Sequence, residues 1–236
     1  MTDLAEEGAV NHIAFIPDGN RRWAKMRGLP TLIGHKAGYD VIKQLSVVLQ
    51  NYGVKYASFF CFSTENWKRT HDEVSYLMDL FCKLFEDCDK ILSANGVKVR
   101  VIGDLSRLPS ELLEKIRKLE ENTKNNDKIT VIGAVSYSGR NEIVRSAKKI
   151  AQDVIDGRLK IDDIDETSFS GYLDCPDIPY PDIVVRTSEK RISNFLLWQT
   201  AYSEIMFLDK FWPDISEDDV KDVLENFSKR KRRYGR

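Results

Sequence analysis

Short β-branched or aromatic runs alternate with longer segments of 3.6-residue apolar period along the whole chain, and that alternation restricts the fold more than any other feature. The runs are His12–Ile16, Tyr56–Phe62, Val97–Ile102, Ile129–Val135, Ile183–Arg186 and Glu204–Leu208. Between them, the periodicity predicts helices over Gly34–Tyr52, Asp72–Ala94, Ser110–Lys124 and Gly139–Asp156, with a last one over Glu217–Lys231. Strand–helix alternation of this kind predicts an α/β fold: a central, mostly parallel six-stranded sheet flanked by helices. The 236 residues contain no repeat and no Pro/Gly/Ser linker, so we expect an N-terminal tail over 1–11 and a single domain over 12–236. In open sheets of this class, ligands bind beyond the carboxyl ends of the strands, and the residues just after each run carry the functional argument.

Composition narrows the function classes. The 36 Lys+Arg nearly cancel the 37 Asp+Glu, which argues against a nucleic-acid partner, since phosphate-backbone binding needs a basic footprint. No apolar run approaches the ~18–20 residues of a membrane span, and the acidic stretch Met1–Val10 has no signal-peptide pattern. Cys61, Cys82, Cys88 and Cys175 show no metal-ligand spacing and read as reduced thiols, so a cytoplasmic location is expected. The basic run Lys229–Arg233 reads as a solvated helix C-terminus.

Three clusters follow strand runs. The first is Ile16-Pro17-Asp18-Gly19-Asn20-Arg21-Arg22-Trp23-Ala24-Lys25. From Arg21 to Lys36 there are Arg21, Arg22, Lys25, Arg27, His35 and Lys36 but no acid, so a lone Asp18 stands beside concentrated positive charge. Arginine forks suit phosphate oxygens, and a carboxylate suits a divalent ion that also bridges phosphates. The second cluster, Phe62-Ser63-Thr64-Glu65-Asn66-Trp67-Lys68-Arg69, is a plausible wall for a ligand with an apolar body and a charged head, and equally an ordinary turn into a capped helix. The third is Arg186-Thr187-Ser188-Glu189-Lys190-Arg191-Ile192-Ser193-Asn194, whose arginines and serines suit a second diphosphate; Glu204 further on is a candidate second carboxylate. From Val74 the segment Leu77, Met78, Phe81, Leu84, Phe85, Cys88, Ile91 and Leu92 forms an unusually wide apolar stripe, either a core helix or one wall of an apolar tunnel.

Taken in order, these motifs resemble those of the cis-prenyltransferases of the undecaprenyl diphosphate synthase type. His12 to Ala24 followed by Gly34-His35-Lys36-Ala37-Gly38 resembles that family's opening, Phe62–Trp67 with Arg69 its second motif, and Arg191–Gln199 through Glu204 and Trp212-Pro213-Asp214 its C-terminal signature. The resemblance implies an α/β domain with an apolar tunnel, a homodimer, and Mg²⁺-dependent successive 1′–4 additions of isopentenyl diphosphate to an allylic diphosphate, with farnesyl diphosphate as starter and undecaprenyl diphosphate as product. It further implies peripheral membrane contact for product release.

By match to the motifs, Asp18 holds Mg²⁺ and Glu204 shares it. Gly19, Asn20, Arg21 and Arg22 cradle the allylic diphosphate with Trp23 and His35 beside it, and Arg27 compensates for Thr31, where the family commonly has an arginine. Ser63, Thr64, Glu65, Trp67 and Arg69 position the two substrates, Asn66 matches the proton acceptor, and Arg186, Arg191, Ile192 and Ser193 bind isopentenyl diphosphate. The loop at Ser188–Glu189 is one residue shorter than the family's pattern, and Ser136-Tyr137-Ser138-Gly139-Arg140 replaces a typical Asn-Tyr-Gly-Gly-Arg. Retention of Asp18, Arg22, Arg69 and Arg191 argues against a non-catalytic partner subunit. Asp218-Asp219-Val220-Lys221-Asp222 matches the aspartate-rich motif of trans-type synthases, but those are all-helical with two such motifs, and helix-dipole logic already accounts for this one.

Overall fold

The computed structural model describes residues 9–229. Its six strands are β1 (His12–Ile16), β2 (Tyr56–Ser63), β3 (Val97–Ile102), β4 (Ile129–Tyr137), β5 (Ile183–Thr187) and β6 (Glu204–Leu208). They form one sheet in the order β3-β4-β2-β1-β5-β6, and every pairing is parallel. The chain builds outward from β1 in one direction through β2, β3 and β4, then returns to the other side of β1 for β5 and β6. The switch between the two directions falls between β1 and β5, where a crevice opens beyond the strand ends.

Alternation along the strands separates two apolar layers. Ile13 and Phe15 of β1 join the larger core, under α2 (Thr31–Val48), α3 (His71–Ala94), α4 (Ser110–Thr123) and α7 (Glu217–Ser228). Ala14 and Ile16 face the smaller cluster with Tyr137, Phe195 and Leu196, on the other side of the sheet. Val10, ahead of the first strand, already packs into the larger core.

The wide stripe of α3 is mainly core. Leu77, Met78, Phe81, Phe85, Cys88 and Leu92 are buried in the larger cluster, because α4 packs along this helix in addition to the sheet and α2. A helix with neighbours on several sides needs a broad apolar face. Of the stripe, Leu77 lines the crevice described below, and of the two readings the core helix describes most of the rest.

Two further departures from the sequence reading have local causes. A short helix α1 (Asn20–Met26) precedes α2, which begins at Thr31, just after Pro30, and passes into a 3-10 turn at Leu49–Tyr52. The segment α6 (Glu166–Ser170) is a single capped turn, with Asp165 and Ser168 exchanging side-chain and backbone hydrogen bonds. At the start of α7, Asp219 accepts from the backbone N–H of Ser216 at 2.9 Å and pairs with Lys210 at 2.5 Å. The aspartate-rich string is therefore a helix cap. Lys229 follows α7 in a turn, while Arg230–Arg233 lie outside the described residues.

Candidate active site

Beyond the carboxyl ends of β1, β2, β4 and β5 lies a cleft of about 1000 Å³. Arg21, Arg22, Arg69, Arg140, Arg186 and Arg191 line it, and its apolar wall includes Tyr39, Ile42, Cys61, Phe62 and Leu77. The cleft thus brings charged and apolar surface together.

Asp18 lines the cleft beside Arg22 and Arg186. The chain leaves β1 through Pro17, and the Asp18 carbonyl accepts from the Thr187 hydroxyl at 2.8 Å and the Trp212 backbone N–H at 2.9 Å. Its carboxylate is thereby aimed into the cleft, 29% exposed. Oδ2 accepts from Arg186 Nη2 at 2.7 Å; Oδ1 accepts from the Gly19 N–H at 2.6 Å and from Arg22 Nη2 at 3.2 Å. Gly19 has φ +99°, and a Cβ there would meet the Phe211 ring at 2.6 Å, so this turn requires glycine. Arg186 is 3% exposed, and a charge so buried needs its partner. Its Nη1 donates to Ser193 Oγ at 2.5 Å and to the Arg191 carbonyl, while its Nε has no partner among the described residues.

The loop after β5 is held in an uncommon conformation: Ser188, Ser193 and Asn194 have φ of 66°, 48° and 64°. Left-handed backbone is costly outside glycine and asparagine, and here hydrogen bonds compensate. The Asn194 carbonyl accepts from Gly139 N at 2.7 Å and its Oδ1 from Arg140 N at 2.9 Å, seating the loop on the first turn of α5 (Gly139–Ile155). Its Nδ2 donates to Glu65 Oε1 at 3.1 Å, joining the second cluster to the third. Burial raises the Glu65 pKa, but hydrogen bonds from its own backbone, Asn194, Ser63 and Thr64 outweigh that and hold the carboxyl below its ordinary value.

Carboxylates engage most of the cleft's arginines. Glu189 bridges Arg22 at 2.9 Å and Arg191 at 2.8 Å, and Glu73 lies 3.1 Å from Arg69 and 3.8 Å from Arg21. His35 Nε2 is 3.7 Å from Glu73, too far for a hydrogen bond. Burial and the neighbouring Arg69 pull the His35 imidazole down to about 4, only partly offset by Glu73. Arg140 differs: among the described residues its guanidinium has no carboxylate partner and faces the cleft free.

Most residues singled out in the sequence line this cleft: Asp18, Gly19, Asn20, Arg21, Arg22, His35, Ser63, Glu65, Asn66, Arg69, Arg186, Arg191, Ile192 and Ser193. Asn66 Oδ1 also accepts from the Ser63 N–H at 3.0 Å, capping the 3-10 turn Thr64–Lys68.

Five expectations need correction. Trp23 and Arg27 occupy the face of α1 turned from the cleft: Trp23 Nε1 donates to Asp214 at 2.7 Å, Arg27 to the same oxygen at 2.9 Å, and the guanidinium stacks on the indole at 4.3 Å. Arg27 therefore does not stand in for Thr31, which itself begins α2 away from the cleft. Thr64 and Trp67 are turned to the end of β4 instead, donating to Ser138 Oγ at 2.8 Å and Ser136 Oγ at 3.0 Å. Glu204 pairs in register with Ile183, itself beside Ile13, at the amino end of the sheet. Asp18 is five residues beyond Ile13, roughly 16 Å along the strand direction, so Glu204 shares no metal with Asp18 of its own chain.

Sequence reasoning missed Glu73, and it named Glu189, Asn194 and Arg140 within longer motifs without giving them a role in the site. Glu73 reads as a first-turn helix acid, and Glu189 as one charge among several. Glu189, Asn194 and Arg140 all carried a signal, since each follows a strand run.

The sequence matches, over residues 16–235, the prenyltransferase family model described as "Putative undecaprenyl diphosphate synthase". An isoprenyl transferase of Clostridium perfringens is 46% identical, over 98% of this chain and 92% of its own length. Lavandulyl diphosphate synthase from Lavandula x intermedia, solved in complex with dimethylallyl diphosphate, superposes with a TM-score of 0.95 at 36% identity, covering 98% of this chain and all of its own. A probable undecaprenyl diphosphate synthase from Campylobacter jejuni superposes with a TM-score of 0.80 at 34% identity, covering 96% of this chain and 99% of its own. With the same motifs gathered around one cleft, the chain belongs to the isoprenyl transferase family of cis-prenyltransferases, of the undecaprenyl diphosphate synthase type.

Proposed function

We propose that the enzyme condenses isopentenyl diphosphate with an allylic diphosphate, farnesyl diphosphate by preference, in successive 1′–4 additions that yield undecaprenyl diphosphate. The observation that carries this reading is the junction of Asp18 and a ring of arginines with an apolar wall in one cleft. Two diphosphates fit the two basic groupings: Asn20, Arg21, Arg22 and His35 on one side, Arg186, Arg191, Ile192 and Ser193 on the other. Ser63, Glu65 and Arg69, which line the same cleft, would position the two substrates. Arginines there stabilise negative charge on the departing diphosphate, the usual role of fixed donors in such a site. Asn66 as proton acceptor is chemically weak, a neutral amide whose oxygen already caps a turn, and released diphosphate is the better base.

Magnesium suits the donor set. A single partly exposed carboxylate, Asp18, is what the ion takes when phosphate oxygens complete its shell. Bound there it would offset phosphate charge, while Arg22 and Arg186 keep the carboxylate oriented. A homodimer is proposed on β6, an edge strand that exposes Ile205 and Phe207, since such edges are normally covered. A reducing, cytoplasmic setting suits four free cysteines, all with thiol pKa values raised by burial. No helix among the described residues is long and apolar enough to cross a membrane.

A second reading is favoured by the inward face of α3: since only Leu77 of its stripe reaches the cleft, the space suits a short condensation, and the lavandulyl diphosphate synthase that superposes on this chain was solved with the short dimethylallyl diphosphate. Incubation with labelled isopentenyl diphosphate, Mg²⁺ and either farnesyl or dimethylallyl diphosphate, with products resolved by length, separates the two. Long polyprenyl diphosphates that vanish with EDTA support the first reading. Short products from dimethylallyl diphosphate alone support the second.

A further inference from the structure

Helices α1 and α2 form an antiparallel hairpin. Gly34 packs on the Asn20 carbonyl and Ala24, and Gly38 on the Asn20 side chain, where a Cβ would come within 2.6 Å of Oδ1. The hairpin's base therefore lies at the cleft, and its tip is the connection from Met26 to Ile33. That tip is well bonded: Arg27 N and Leu29 N both donate to the Ala24 carbonyl, at 3.0 and 2.9 Å, and Ile33 N donates to Pro30 O at 3.0 Å. Yet it exposes Met26, Leu29 and Ile33 by 73%, 39% and 43%. A rigid turn that displays three large apolar side chains asks what covers them.

Charge around the tip selects the occupant. Between Asp18 and Asp40 there is no acidic residue. Arg21, Arg22 and Arg27 are engaged by Glu73, by Asp18 with Glu189, and by Asp214, respectively. Lys25 and Lys36, both exposed, form no ion pair among the described residues. Apolar side chains flanked by free lysines match an anionic bilayer, with the apolar groups entering the interface and the cations meeting headgroups. A second exposed apolar patch, Ile155, Ile161 and Ile164, suits such a surface less, because Asp153, Asp156, Asp162 and Asp163 surround it; Ile205 and Phe207 are the edge-strand pair already given to the dimer.

We propose that the α1–α2 hairpin tip docks the protein on anionic membrane, one helical turn from the cleft mouth. Arg22, which lines the cleft, precedes Met26 by four residues, about 6 Å of helix axis. The lipid would thus stand beside the cleft in which the apolar product forms. This deepens the proposed function and rests on it for the nature of the product.

The test is flotation of the full chain, without substrate, with vesicles of phosphatidylcholine alone or mixed with phosphatidylglycerol. The wild type should float with the anionic vesicles and be released by salt. The triple change Met26→Ser, Leu29→Ser, Ile33→Ser should cut the bound fraction roughly tenfold, and Lys25→Gln with Lys36→Gln should lower it and remove the salt dependence. Both variants should keep wild-type melting temperature and turnover in detergent. Wild-type protein that ignores anionic vesicles, or variants that float like wild type, would overturn the proposal. So would loss of oligomer mass in the triple variant by sedimentation, since a second copy would then cover the tip. A chain that floats but makes no polyprenyl product would overturn the reading of the reaction and leave the docking surface standing.

Discussion

At the scale of single residues, the site is a balance of charges in which each arginine but one already has a carboxylate. Asp18 with Arg186, Glu189 between Arg22 and Arg191, and Glu73 beside Arg69 preorganise the guanidinium groups before any phosphate arrives. Arg140 has no such partner among the described residues, so its charge is available to a ligand. Arg140→Gln should raise the KM for a diphosphate substrate roughly tenfold or more, the loss of one charge-assisted contact, while the melting temperature stays put. An unchanged KM for both substrates would show that Arg140 touches neither. Asp18 and the arginines were legible because an acid among unopposed cations at a strand end has few structural explanations. Glu204 was misplaced because a motif match carries no information about which end of a strand a residue occupies; register does. Trp23 and Arg27 were misassigned because a seven-residue helix with little apolar pattern left its facing unreadable.

At the scale of elements, two junctions hold the cleft's walls in position. One is the α1–α2 hairpin, where an added methyl at Gly34 collides with backbone of Asn20 rather than with a movable side chain. Gly34→Ala should therefore cost about 1–3 kcal/mol in chemical denaturation and displace Asn20 from the cleft, lowering activity as well. Denaturation and turnover both at wild-type values would contradict that packing. The other junction is buried Glu142 of α5, which accepts from the Tyr137 hydroxyl at 2.5 Å, from Asp174 N at 3.0 Å and from Gln199 Nε2 at 3.1 Å. It ties the end of β4 to the loop that carries Ser193. Tyr137→Phe removes a hydrogen bond to this carboxylate and should destabilise the protein by about 1.5–3 kcal/mol, measured by the same denaturation. All six strands and five of the helices were readable from periodicity, within a few residues at their ends. The short helices and 3-10 turns were not, since a turn or two offers too few positions for a period to show.

For the molecule as a whole, the parallel sheet decides where chemistry can occur. Its switch point between β1 and β5 brings Asp18 and Arg186 together across 168 residues of sequence, a proximity that no local pattern encodes. The same compactness makes stability depend on pH. His12, at the opposite end of β1, donates from Nδ1 to the Pro179 carbonyl at 2.6 Å and accepts from Ser58 at 2.8 Å. Burial lowers its pKa from 6.5 to about 4, as it does for His35. The unfolded chain binds these protons near pH 6.5 and the folded one only near 4, so stability should fall as pH drops through that window. The loss should approach about 3 kcal/mol for each histidine, before carboxylates add their own effect. Denaturation midpoints that stay level between pH 7 and 5 would contradict it. The central claim, that the cleft around Asp18 performs cis-prenyl transfer, is tested most directly by Asp18→Asn, which keeps an oxygen to accept from Arg186 but removes that guanidinium's countercharge, so the variant's melting temperature is measured alongside. With farnesyl diphosphate, labelled isopentenyl diphosphate and Mg²⁺, we expect wild type to make polyprenyl diphosphate and the folded variant to lose about a thousandfold in turnover. A folded Asp18→Asn protein that elongates at the wild-type rate would contradict the account.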